Sequence, residues 1–133
     1  MSDFKSKIRL LGLRPTQQRI TIMQVLSEIG KTHVTARCLL KILSKKNKRI
    51  SIATIYNNLN ELSDRGFLNK VVVGKEKMWF DTNLANHHHF YDEEADKLVD
   101  IDFSDIEFSK FPDIPYGKTL KSVNVVINVK KKN

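Results

Sequence analysis

The chain has 133 residues, 41% of them hydrophobic and 29% charged, with a formal net charge of +8. This composition suits one ordinary globular domain or two small ones and excludes a disordered chain. No run approaches the roughly 18 uncharged apolar residues of a membrane span, and the single cysteine, Cys38, excludes an intrachain disulfide and a cysteine-based zinc site.

The charge is unevenly spread. Residues 1–82 hold sixteen Lys and Arg against six Asp and Glu, a net +10, whereas 83–133 hold seven against nine, a net −2. The first part is built to approach a polyanion, with nucleic acid the leading partner. The start of the chain lacks the long apolar segment of a secretory signal, and its cysteine usage fits a reducing cytoplasm.

In chain order, "PTQQRITIMQVLSEIG" reads as a helix capped by Thr16 and closed at Gly30, with Ile20, Ile22, Met23, Val25, Leu26 and Ile29 on its apolar face. "VTARCLLKILSKK" is a second helix, capped by Thr35, that buries Ala36, Leu39, Leu40 and Leu43; Cys38 reads as a small packing residue beside that stripe. "SIATIYNNLNELSDRGF" is a third, capped by Ser51 and ended by Gly66. Ile52, Ile55, Leu59 and Leu62 share its apolar side. The other side carries Ala53, Thr54, Asn57, Asn60 and Glu61, with Tyr56 at the border. Small and amide side chains near a helix N-terminus are what a DNA major groove accepts.

"FLNKVVV" (67–73) and "KMWFDT" (77–82) read as a hairpin around "GKEK". Three helices and a hairpin make a winged helix-turn-helix, with Lys70, Lys75 and Lys77 placed for phosphates. Beyond a boundary near 83–86 the pattern becomes strand-like in "HHHFYDE", "KLVDIDF" (97–103) and "SVNVVINV" (122–129), while "SDIEFSKF" (104–111) reads as a short helix. The expected fold is α+β: a winged-helix DNA-binding domain over 1–84, then a small α/β domain over 85–133 for dimerisation and metal or haem sensing. Three short strands with little helical cover favour pairing with a second copy.

Three of the four histidines are consecutive, His87, His88 and His89. On a strand the first and third share a face and the middle one points away. Asp81 ends the wing strand, Asp100 lies on the next strand, and His33 sits in the first interhelical loop. Such a nitrogen and oxygen donor set suits Fe(II), Mn(II), Zn(II) or Co(II) rather than Cu(I), and adjacent histidines also suit haem iron. Spacing alone leaves metal and haem both open. No nucleophile motif accompanies these ligands, so an enzyme is not expected; a metal-buffering protein would lack the polar helix face.

"LRPTQQRITIMQVL", "ISIATIYNNLNELSDRGFL", "FDTNLANHHHF" and "KLVDIDFSDIE" resemble the ferric uptake regulator (Fur) superfamily over nearly the whole chain. The uninterrupted "HHHF" and the lack of a following CxxC are similar to its iron response regulator (Irr) branch. The resemblance implies a homodimeric transcription factor that reads AT-rich inverted repeats near iron and haem homeostasis genes, as repressor or activator, with peroxide- or manganese-responsive regulation (PerR- or Mur-like) as the alternative. It places DNA contacts at Arg14, Arg19, Ser51, Ala53, Thr54, Tyr56 and Asn57. Where the family often has Arg, Asn57 implies a shifted base preference. It places metal ligands at His33, Asp81, His87, His89 and Asp100, a second site at His88 and Glu107, and haem contacts at His87, His88 and His89. Asn86 replaces a second-site histidine, and Asp92 and Ala95 stand where the structural zinc site has its first cysteine pair.

Overall fold

The computed structural model describes residues 3–30, 32–74, 77–82 and 87–133, with only the backbone of His87. The chain divides into two compact units, Met1–Leu84 and Ala85–Asn133.

The first unit opens with α1 (Phe4–Leu10), whose N-cap Asp3 accepts from the Ser6 backbone N–H and hydroxyl. These two bonds hold the Asp3 carboxyl below its usual pKa. The sequence reading lacked this helix: it is seven residues long and fully buries only Ile8, too little to print a periodic stripe.

Three longer helices follow, α2 (Gln17–Ile29), α3 (Ala36–Lys45) and α4 (Ile52–Asp64). Thr16, Thr35 and Ser51 cap them, each accepting the backbone N–H three residues on, which satisfies one donor of each open first turn. Gly30 and Gly66 follow α2 and α4 at φ +82 and +84, a left-handed backbone that suits glycine. The core joins Ile8, Ile22, Met23, Leu39, Leu43, Ile55, Leu59, Leu62, Leu68 and Phe80.

Two expected positions differ. Ile52 is 44% exposed, and Asn58 is buried on α4 instead. Ile52 opens the first helical turn, where the helix has not yet met its neighbours. Cys38 is exposed, so it is not a packing residue; it points from the solvent side of α3 while Leu39 and Leu43 face the core.

The wing is antiparallel, β2 (Asn69–Val73) against β3 (Lys77–Asp81), and the short β1 (His33–Val34) pairs with the other edge of β3, giving the order β1-β3-β2. Lys70 is exposed and Lys77 half-buried, while Lys75 lies outside the described residues.

In the second unit, β4 (His87–Asp92) is central, antiparallel to β5 (Lys97–Asp102) and parallel to β6 (Val126–Val129). The expected helix over 104–111 is instead a 3-10 turn, Phe103–Asp105. Asp102 caps it without a side-chain bond, and Phe103 and Phe108 both pack on the His88 ring. The expected α/β domain is therefore a small three-stranded sheet. The last strand begins at Val126 rather than 122. The boundary stretch 83–86 lies outside the described residues.

The β4–β5 turn has its own fastening. Asp92 Oδ1 accepts the Glu94 and Ala95 N–H groups, both at 3.1 Å. Beside it the Tyr91 hydroxyl donates to Asp96 Oδ1 at 3.0 Å. Burial, then this bond to the carboxylate, raises the Tyr91 pKa above its ordinary value.

Candidate DNA-reading face and imidazole–carboxylate pairs

The outward face of α4 begins at its cap. Ser51 Oγ accepts from Thr54 N–H at 3.2 Å and donates to Thr54 Oγ1 at 3.0 Å, so both side chains are partly committed to closing the helix end. Ala53 and Asn57 are exposed, as is Arg14 before α2. A small side chain beside a free amide leaves room for a base edge and a group to read it. Tyr56 is held inward: half-buried, it directs its hydroxyl to Met78 Sδ at 2.7 Å and sets its ring edge-on to Phe80, centroids 6.5 Å apart.

Arg19 is restrained at both ends of its guanidinium. Nε donates to Asn58 Oδ1 at 3.1 Å, and Nη1 donates to the Arg14 carbonyl at 2.9 Å. Asn58 Nδ2 in turn donates to the Thr54 carbonyl at 2.8 Å. Sequence reasoning missed Asn58, because it lies within a polar run ("YNN") that periodicity reads as solvent-facing.

Also in the first unit, His33 and Asp81 are opposed across the β1–β3 ladder. His33 Nε2 lies 3.1 Å from Asp81 Oδ2, and Asp81 is 1% exposed. Thr82, likewise missed from sequence, fixes this corner: its hydroxyl donates to the Gly30 carbonyl at 2.9 Å and accepts from the Thr32 N–H at 3.0 Å. A buried carboxylate is costly unless it is paired or meets a cation.

In the second unit the strand alternation separates His88 from His89. His89 lies opposite Asp100 in the β4–β5 register, with Nε2 3.4 Å from Asp100 Oδ1. His87 pairs by its backbone with Asp102; its side chain lies outside the described residues. Each of the two imidazole–carboxylate pairs presents borderline nitrogen and hard oxygen, a donor set that fits Mn(II), Fe(II) or Zn(II).

His88 has a different environment. Its Nδ1 accepts the Val125 N–H at 3.0 Å, which in a neutral ring puts the proton on Nε2. Nε2 is buried and has no hydrogen-bond partner among the described residues. The ring stacks on Phe103, centroids 5.3 Å apart, and meets the edge of Phe108 at 6.4 Å. Glu107 is exposed, and no hydrogen bond from either His88 nitrogen reaches it. The structure thus draws His88 into an aromatic packing role and does not join it to Glu107.

A family model described as "Ferric uptake regulator family" matches residues 11–128. The peroxide-responsive repressor PerR of Staphylococcus epidermidis is 36% identical over 102 residues, 77% of this chain and 67% of that protein. The PerR of Staphylococcus aureus is 37% identical over 98 residues, 74% of this chain and 66% of its own. The chain thus spans about two thirds of the length of these curated relatives. The solved ferric uptake regulator of Pseudomonas aeruginosa with manganese shares the fold at a TM-score of 0.75 and 22% identity, covering 99% of this chain and all of that one. That of Francisella tularensis with iron does so at 0.74 and 19%, covering 99% and 96%. The chain therefore belongs to the ferric uptake regulator family, whose members are metal-responsive transcription regulators and not enzymes.

Proposed function

We propose that this chain is a homodimeric repressor that reads AT-rich inverted repeats in double-stranded DNA and whose affinity is set by a divalent cation. Ala53, Thr54 and Asn57 of α4, with the half-buried ring of Tyr56 at their border, address base edges, while Ser51, Arg14, Arg19 and Lys70 address the backbone. His33 and Asp81 in one unit, and His87, His89 and Asp100 in the other, supply the ligands. The observation that carries this reading is the presence in each unit of an imidazole facing a carboxylate across adjacent strands. Lone histidines on polar strands do not require that match. A cation that binds the DNA-competent arrangement more tightly than the alternative shifts the population toward it, by the difference in affinity and no more.

Among the ligands such a regulator answers to, the peroxide-responsive reading is preferred over the haem-responsive one of the Irr branch. The curated relatives carry the peroxide-responsive name. Of the proposed haem contacts, His88 is engaged by Val125 and Phe103, and His89 faces Asp100. The second metal site at His88 and Glu107 finds no support in this packing.

The test is operator affinity during titration with Mn(II), Fe(II), Zn(II) and hemin. The expected result is tighter binding with Mn(II), Fe(II) or Zn(II) and none of that gain with hemin. Peroxide then abolishes the gain in Fe(II)-loaded protein and spares it in protein loaded with redox-inert Zn(II). Tighter DNA binding by hemin alone would overturn this reading in favour of haem sensing. Indifference to every ligand would leave a DNA-binding protein without a sensor.

A further inference from the structure

The relay that runs from Thr54 through Asn58 to Arg19 and on to Arg14 is a polar chain with the buried Asn58 at its centre, which the DNA-reading face does not itself require. Asn58 is 8% exposed, yet both of its side-chain hydrogen bonds are directed to that face. One end fastens to the backbone of α4 at Thr54, four residues earlier. The other holds the Nε of Arg19, whose Nη1 is already on the Arg14 carbonyl. Of the five N–H donors of a guanidinium, two are thereby engaged, and the rest of the group borders a cleft of about 350 Å³ lined by Arg19, Asn57, Asn58, Asn60 and Glu61. Leucine has the same branched side-chain skeleton without the polar atoms, so apolar packing by itself does not account for an amide here.

Resting on the DNA-reading role proposed above, we propose that Asn58 is a positioning residue. It never touches DNA; it holds the Arg19 guanidinium in the orientation in which it meets a phosphate. A long arginine free in solvent must freeze its rotamers when it binds. Arg19 has been frozen in advance, by a side chain on the helix that reads the bases, so phosphate register and base register are set together. The Arg14 carbonyl extends the relay to the segment before α2.

The experiment compares Asn58→Leu, Asn58→Ser, Arg19→Ala and both double variants, in the Mn(II)-loaded full chain. Affinities are measured against a fluorescein-labelled AT-rich inverted-repeat duplex and a mixed-sequence duplex of equal length, across a salt series. Arg19→Ala is expected to lower the slope of log affinity against log salt by about 0.9 for each phosphate left without its arginine. Asn58→Leu is expected to weaken binding about three- to tenfold with the slope unchanged, since the arginine still meets its phosphate but is no longer ordered beforehand. In the Arg19→Ala background the same substitution costs less than about twofold, the coupling that a double-mutant cycle isolates. Asn58→Ser keeps a hydroxyl for the Thr54 carbonyl but cannot reach Arg19; it decides the matter if the leucine variant misfolds by circular dichroism. An equal loss with and without Arg19, or no loss at all, would overturn the positioning role alone. Failure of the unaltered protein to bind either duplex would overturn that role and the DNA-reading role together.

Discussion

His33 and Asp81 stand directly opposite each other on adjacent strands, Nε2 to Oδ2 at 3.1 Å, with the carboxylate almost wholly buried. A negative charge placed there costs stability unless a cation answers it. Asp81→Asn should therefore lower the affinity for Mn(II) at least about tenfold, by loss of an anionic ligand, and shrink the rise in melting temperature that Mn(II) gives. Calorimetric titration and thermal melts with and without chelator read the two; an unchanged Mn(II) affinity would contradict the reading of Asp81 as a ligand.

Asn57 and Lys70 are both exposed, but they should fail differently. An amide that pairs with a base edge carries about 1–3 kcal/mol of discrimination. Asn57→Ala should narrow the gap between operator and mixed-sequence DNA by that amount with little change in salt dependence. Lys70→Ala should weaken both duplexes alike and lower the salt slope by about one. Fluorescence anisotropy across a salt series separates the two.

The Asp92 carboxylate gathers two backbone N–H groups in the β4–β5 turn. Asp92→Ala leaves both donors to solvent, at a cost of about 1–2 kcal/mol. Amide exchange at Glu94 and Ala95 should accelerate more than exchange at the central strand β4. Equal acceleration throughout the second unit would mean that the turn is not a separate fastening.

Tyr91 carries a pH dependence of definite sign. Its pKa is raised in the folded protein by burial first and by the Asp96 bond second, so folding favours the neutral phenol. That contribution is fully present below the ordinary phenol value of about 10 and is lost as pH climbs through the higher folded value. Tyr91→Phe should remove about 1 kcal/mol near neutral pH, by loss of one hydrogen bond. It should also flatten the alkaline limb of the stability curve, read by denaturant melts from pH 8 upward.

The helical half of the fold was legible because its signals are local. Thr16, Thr35 and Ser51 each precede an apolar stripe and each closes a first turn. The strand "HHHFYD" and its antiparallel partner were legible from alternation, down to Asp100 lying beside His89. What failed was non-local. Asn58 looks like a surface residue until Arg19, 39 positions earlier, arrives beside it. The bond from the Val125 N–H to His88 Nδ1 spans 37 positions, which no spacing rule reveals. "SDIEFSKF" starts with a helix cap and yet makes one 3-10 turn, with Phe108 drawn onto His88, 20 positions earlier, and onto Phe111. The inward hydrogen bond of Tyr56 depends on a wing methionine that no local pattern announces.

Where its relatives' resemblance would put thiolates around zinc, this chain closes the same corner with one carboxylate and two amides, and the whole second unit contains no sulfur nucleophile. Diamide, a thiol-specific reagent that dismantles a thiolate clasp, finds no thiol in this unit to attack. Oxidative inactivation of this protein therefore cannot run through release of a thiolate-bound zinc at that corner.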